Sequence, residues 1–189
     1  LLAADGWRDE DGDGILERDG RALSFEILTR QGDPVRENGG VILRENLRAV
    51  GAAVTLRTLE LGAALDLLRS GRFDAYFGLV TLNLYGDAAP YVHSAAIDRF
   101  NQGGYANAVV DSLLDVASGT RDRAAALPIW RHLQEVVAAD PPAAYLFYPE
   151  ILVGVAGRLR DVRPHMLSPY NNLAEWWIPP QDRRYRAGP

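Results

Sequence analysis

The feature that most constrains this chain is a hydrophobic rhythm that keeps changing period between Ala22 and Val80. Leu23, Phe25 and Ile27 alternate with polar neighbours up to Thr29, the period-2 pattern of a half-buried strand. Asp33 followed by Pro34 then offers an N-cap acceptor and a pre-set φ, and Val35, Ile42, Leu43, Leu47 and Val50 keep near-helical spacing up to Gly51, a left-handed stop. Residues 54–59 return to a strand pattern, 63–70 read as a short helix stopped by Gly71, and 73–80 read as a third strand. The order β-α-β-α-β predicts an α/β fold built on an open, mainly parallel sheet flanked by crossover helices. Such a sheet takes ligands beyond the carboxyl ends of its strands, so residues 81–90 are the first place to look for a site.

Downstream, Asn107 is placed to cap a helix carrying Val110, Leu113, Leu114 and Ala117 on one face. Ala126, Ile129, Trp130, Leu133, Val136 and Val137 mark a second helix, in which Pro128 either opens the helix or kinks its interior. Residues 143–155 are rich in Tyr, Phe, Ile, Leu and Val and broken by Pro149-Glu150, which reads as strand, break, strand. Beyond Arg158 the pattern loosens between prolines, so the expected organisation is one lobe over 1–157 and a trailing segment over 158–189. No internal repeat is found.

Composition removes whole classes of function. With 189 residues, 48% hydrophobic and 24% charged, the chain is an ordinary globular protein, and no apolar run reaches the roughly 18 residues of a membrane-spanning helix. A net charge of −5 with scattered basic residues argues against a nucleic-acid partner. All 20 basic residues are arginine, which excludes a lysine nucleophile and a Walker-type loop, and the lack of cysteine excludes disulfides, thiolate metal sites and thiol catalysis. The opening Leu1-Leu2-Ala3-Ala4-Asp5-Gly6-Trp7 has no initiator Met, basic stretch or long apolar stretch, so no targeting signal is expected in it and it reads as a segment of a longer protein.

Two stretches could carry chemistry. In Asp9-Glu10-Asp11-Gly12-Asp13-Gly14-Ile15, oxygen ligands recur at alternate positions with a glycine after the third, so Asp9, Asp11, Asp13, the Ile15 carbonyl and Glu17 could wrap calcium. The twelfth position, where a bidentate Glu belongs, is Gly20, so an acidic turn leading into the first strand is the favoured reading and weak calcium binding at most is expected. The second stretch is Asn83-Leu84-Tyr85-Gly86-Asp87 at the third strand's end, with Asn101 and Tyr105 further on. A carboxylate among rings and amides suits an amine-bearing ligand, and the same residues equally suit turn and cap chemistry. His93, His132 and His165 lie far apart without metal-ligand spacing, and no nucleophile elbow, dinucleotide fingerprint or paired-histidine zinc motif occurs. No enzyme is expected.

Several runs together resemble one family. Leu1 to Trp7, Asp11-Gly12-Asp13-Gly14-Ile15-Leu16-Glu17, Leu47-Arg48-Ala49-Val50-Gly51, Gly71-Arg72-Phe73-Asp74-Ala75, and Gly104-Tyr105-Ala106-Asn107 with Asp111, Leu113 and Leu114 fall in order over residues 1 to about 155. They resemble the family 5 extracellular solute-binding proteins, the dipeptide, oligopeptide and nickel receptors of bacterial ABC importers. The resemblance implies the C-terminal lobe of a two-lobe, type II periplasmic binding protein, at the periplasm or cell surface. It further implies capture of a small solute, a peptide above all, by hinge closure, delivery to an ABC permease, and a trailing segment that returns toward an N-terminal lobe. No cofactor is required for that role. In peptide-binding members an aspartate after this lobe's third strand pairs with the ligand's α-amino group, and Asp87 falls there, with Asn83, Tyr85, Asn101 and Tyr105 as expected neighbours. The rival expectation is a calcium-stabilised extracellular structural or adhesion module built on the Asp9 to Glu17 loop.

Overall fold

The computed structural model describes residues 1–80, 87–97, 99–150, 152–165 and 168–184. The chain divides into two compact units, Leu1–Ala143 and Ala144–Pro189.

The first unit opens with a 3-10 turn, Leu2–Asp5, closed by Gly6 at φ +90°. A two-strand hairpin follows, β1 (Glu17–Arg18) pairing antiparallel with β2 (Arg21–Ala22). Its connecting residues Asp19 and Gly20 both have positive φ, the mirror-image turn whose twist suits a tight hairpin. The expected alternation of strands and helices is then realised: β3 (Ser24–Arg30), α1 (Pro34–Arg48), β4 (Ala53–Leu59), α2 (Leu61–Arg69) and β5 (Ala75–Tyr76). The sheet order is β4-β3-β5, with β3 parallel to both neighbours and buried at Ile27, Leu28 and Thr29.

Local chemistry explains the boundaries. Asp33 accepts from the Val35 and Arg36 N–H groups at 3.1 and 3.2 Å with Pro34 at N1, so α1 starts where its first orphan donors find an acceptor. Beyond its end, Gly51 turns the chain at φ +88°, and a Cβ there would lie 2.4 Å from Leu16 Cγ. Leu16 also donates to the Gly51 carbonyl at 2.8 Å, which ties the hairpin to the foot of α1. Inside α1, a Cβ on Gly39 would meet the Phe77 ring at 2.7 Å, so the bare Gly39-Gly40 step is what lets helix and sheet close on this buried ring.

After β5 come α3 (Ala89–Val92), α4 (Ala108–Gly119) and α5 (Arg123–Ala139). Val92, Val110, Leu114 and Leu133 form a second buried cluster, with Tyr105 and Trp130 packed against it. Pro128 lies inside α5 and so does not open the helix, which decides between the two open readings. Its missing N–H leaves the Ala124 carbonyl without its helical donor, and both residues face solvent, where water can serve instead.

Two strand expectations differ from the structure. The third strand, read over 73–80, is regular only at Ala75–Tyr76. Phe77 makes one further ladder bond to the Leu28 carbonyl at 2.9 Å, and β3 ends at Arg30, so in this register residues beyond 78 have no β3 backbone opposite them. The strand, break, strand reading of 143–155 finds no strand among the described residues. Apolar composition supplies strand propensity, but a strand also needs a neighbouring backbone, and among the described residues the second unit contributes the isolated bridges Arg160–Trp177 and His165–Ser168 and no strand. Tyr145, Tyr148 and Leu152 stand 68, 94 and 91% exposed as a result.

Candidate functional site

The carboxyl ends of β3, β4 and β5 all lie at one edge of the sheet, since the three strands are parallel. The chain that leaves β5 at this edge runs to Asp87 and α3. Asn83 and Tyr85 lie outside the described residues. Asp87 is half-buried, and its Oδ1 accepts from the Ala89 N–H at 3.0 Å, so the carboxylate holds the start of α3.

Asn101 is 2% exposed and braces the loop between α3 and α4. Its amide nitrogen donates to the carbonyls of His93 (3.0 Å) and Tyr105 (2.7 Å), and its Oδ1 accepts from the Tyr105 N–H at 3.1 Å. The amide is thus spent on backbone groups, which closes the loop and directs the Tyr105 ring toward the cluster around Leu114. Asn107 caps α4 through the Val109 and Val110 N–H groups, as its position in the sequence predicts, and its amide reaches Asp140 at 3.0 Å.

A polar cluster that sequence spacing does not reveal sits beside this loop. Asp111, on the first turn of α4, accepts from the Ser94 N–H at 2.9 Å and from the Ser94 hydroxyl through a short contact. Burial alone would raise the Asp111 pKa, but the two Ser94 hydrogen bonds and the nearby His93 outweigh it and leave the carboxyl below its ordinary value. His93 Nδ1 lies 3.5 Å from Asp111 Oδ1, and Nε2 lies 3.4 Å from Asp115 Oδ1. The only hint in the sequence is Asp111 and Asp115 one helical turn apart; their partners Ser94 and His93 lie in an earlier element and are reached only through the fold.

In the acidic loop, Asp9, Asp11 and Glu17 bring carboxylate oxygens within 4.8 Å of one another. Asp13 is not among them, and its Oδ1 accepts from the Ile15 N–H at 2.7 Å. Asp9 accepts from Gly12 and Gly14, and Glu17 from the Glu10 N–H, so these oxygens also order the loop by themselves. The three that converge are hard oxygen donors, the residues that could hold calcium here.

An open parallel sheet with helices on its flanks and a ligand edge at its strand ends is the architecture of the type II periplasmic binding proteins, and the comparisons with known proteins agree. The chain is 30% identical over 181 residues to the oligopeptide-binding protein AppA of Bacillus subtilis, matching 94% of this chain and 33% of AppA. Against the structure of AppA in complex with a nonapeptide the TM-score is 0.77, with 94% of this chain and 36% of that one covered. Protein XP55 of Streptomyces lividans is 30% identical over 170 residues, 84% of this chain and 29% of its own. The oligopeptide-binding protein of Thermus thermophilus complexed with a pentapeptide shares the fold at TM-score 0.64 and 24% identity, over 75% of this chain and 27% of its own. No family model matches. The chain is homologous to part of the family 5 oligopeptide- and nickel-binding solute receptors of ABC importers, and it spans about a third of the length of the curated relatives it matches.

Proposed function

We propose that this chain is the C-terminal lobe of an exported solute-binding protein that captures a peptide between two lobes and hands it to an ABC permease, with no enzymatic step. The observation that carries the reading is the match to AppA along nearly the whole of this chain, in sequence and in fold, AppA having been solved with a nonapeptide. In this role the lobe works by differential affinity: the peptide stabilises the closed arrangement because only there do both lobes touch it. Asp87 supplies the counter-charge for the peptide's amine at the sheet's carboxyl edge, with Asn83, Tyr85, Asn101 and Tyr105 as its surroundings. Residues 158–189 lead toward the other lobe, and the protein works in the periplasm or at the cell surface.

The test is calorimetry on the full-length receptor with peptides of graded length. Saturable binding of peptides is the expected result. Absence of heat with every peptide, alongside binding of a nickel–histidine complex or an oligosaccharide, overturns the peptide assignment.

A further inference from the structure

We propose that His93 is an acid-sensitive clasp whose protonation rearranges the turn at 93–96 and, through Asn101, the loop that runs to Tyr105. One ring nitrogen has two partners that cannot be served together. Nδ1 accepts from the Ala95 N–H at 3.0 Å, which requires a lone pair on Nδ1 and places the neutral ring's proton on Nε2, facing Asp115. Asp111 Oδ1 stands 3.5 Å from the same Nδ1, and it becomes a partner only once that nitrogen carries a proton. A single proton therefore exchanges a backbone cap for an ion pair.

Both arrangements are supplied with acceptors and donors. Ala95 lies in the 3-10 turn Ser94–Ala96 that the neutral ring caps. Ser94 keeps Asp111 in place through its N–H and hydroxyl whichever state the ring adopts. Among the described residues the charged groups facing the ring are Asp111 and Asp115, both from α4; α3 carries none, and the exposed Arg99 makes no ion pair. The mechanical link is the His93 carbonyl, which accepts from Asn101 Nδ2 at 3.0 Å while the Asn101 N–H donates to the Ala96 carbonyl at 3.0 Å. A turn that lets go of Ala95 thus pulls on the residue that brackets Tyr105. The consequence for solute retention rests on the reading given above of Asn101 and Tyr105 as neighbours of the solute.

Amide and imidazole resonances of the full protein, followed in a titration from about pH 8 to about pH 5, test the clasp. The Ala95 amide is expected to lose its exchange protection along the same curve as the His93 ring, with the Asn101 and Tyr105 amides following. His93→Asn keeps an acceptor oxygen near the Nδ1 position but takes up no proton, so it should abolish this response. Should that variant fold poorly, Asp115→Asn removes a carboxylate that favours the charged ring and should move the Ala95 response to lower pH. A ring that titrates while these amides stay still, a response that survives in His93→Asn, or an unmoved midpoint in Asp115→Asn overturns the proposal. Peptide affinity measured at both ends of the range separates the two ideas: affinity that ignores pH while the amides respond counts against Asn101 and Tyr105 as solute neighbours and leaves the clasp standing.

Discussion

Asp87 and Asp111 both hold backbone N–H groups at a helix start or turn, yet different measurements separate their roles. Asp87→Asn keeps an oxygen for the Ala89 N–H and removes the charge, so in the full-length receptor it should weaken an amine-bearing peptide by about 2–5 kcal/mol with little change in melting temperature. Unchanged affinity with a lowered melting temperature would make Asp87 a cap alone. Asp111 answers to pH. Its carboxyl is held below its ordinary value of 3.8 in the folded state, so the stability it contributes is complete above that value and fades as acid protonates the folded carboxylate. Acid unfolding followed by circular dichroism should therefore show a stability loss below about pH 4 that is smaller in Asp111→Asn, and Asp111→Ala should cost about 1–3 kcal/mol at neutral pH by stranding the Ser94 donors. Asp33 and Asn107 were legible as caps because a cap is a local rule. Asn101 was not, since its acceptors His93 and Tyr105 become its neighbours only when the loop closes.

At the scale of elements, the sequence signal was strongest where the structure depends on the chain's own periodicity. Helix α1 begins where Asp33 and Pro34 say it should and ends just before Gly51, and β3 and β4 form where strands are expected, although β3, the central strand, is buried on both faces at Ile27, Leu28 and Thr29 and not on one alone. Residues 73–80 and 143–155 show the opposite case, because strand propensity is written in side chains but realised only against a second backbone. Pro128 gives a test of element energetics: Pro128→Ala restores the donor for the Ala124 carbonyl and should stabilise the chain by about 1–3 kcal/mol in chemical denaturation, and an unchanged or lowered stability would contradict this. The acidic loop gives another. Its oxygens already accept from Gly12, Gly14 and Glu10, so calcium should bind in the millimolar range or weaker, and a melting temperature that rises at micromolar calcium would contradict this.

For the molecule as a whole, the proposed division of labour between lobes predicts that folding and binding separate. The parallel sheet and the helical cluster around Leu114 should melt cooperatively in this chain by itself, while peptide binding should be far weaker than in the full-length receptor, because half a site leaves the rest of the peptide in water. Sub-micromolar affinity of this chain alone would refute capture between two lobes. Residues 145–148 and 152–155 carry exposed Tyr, Leu, Phe and Val side chains on either side of Pro149 and Glu150. Uncharged, strand-prone runs of this kind nucleate aggregation when left uncovered, and a proline with an adjacent charge is what holds such runs apart. Replacing Pro149 and Glu150 by valine would join the two halves into one uninterrupted stretch, and the expected outcome is a larger share of newly made chains in inclusion bodies, read from the soluble and insoluble fractions on expression.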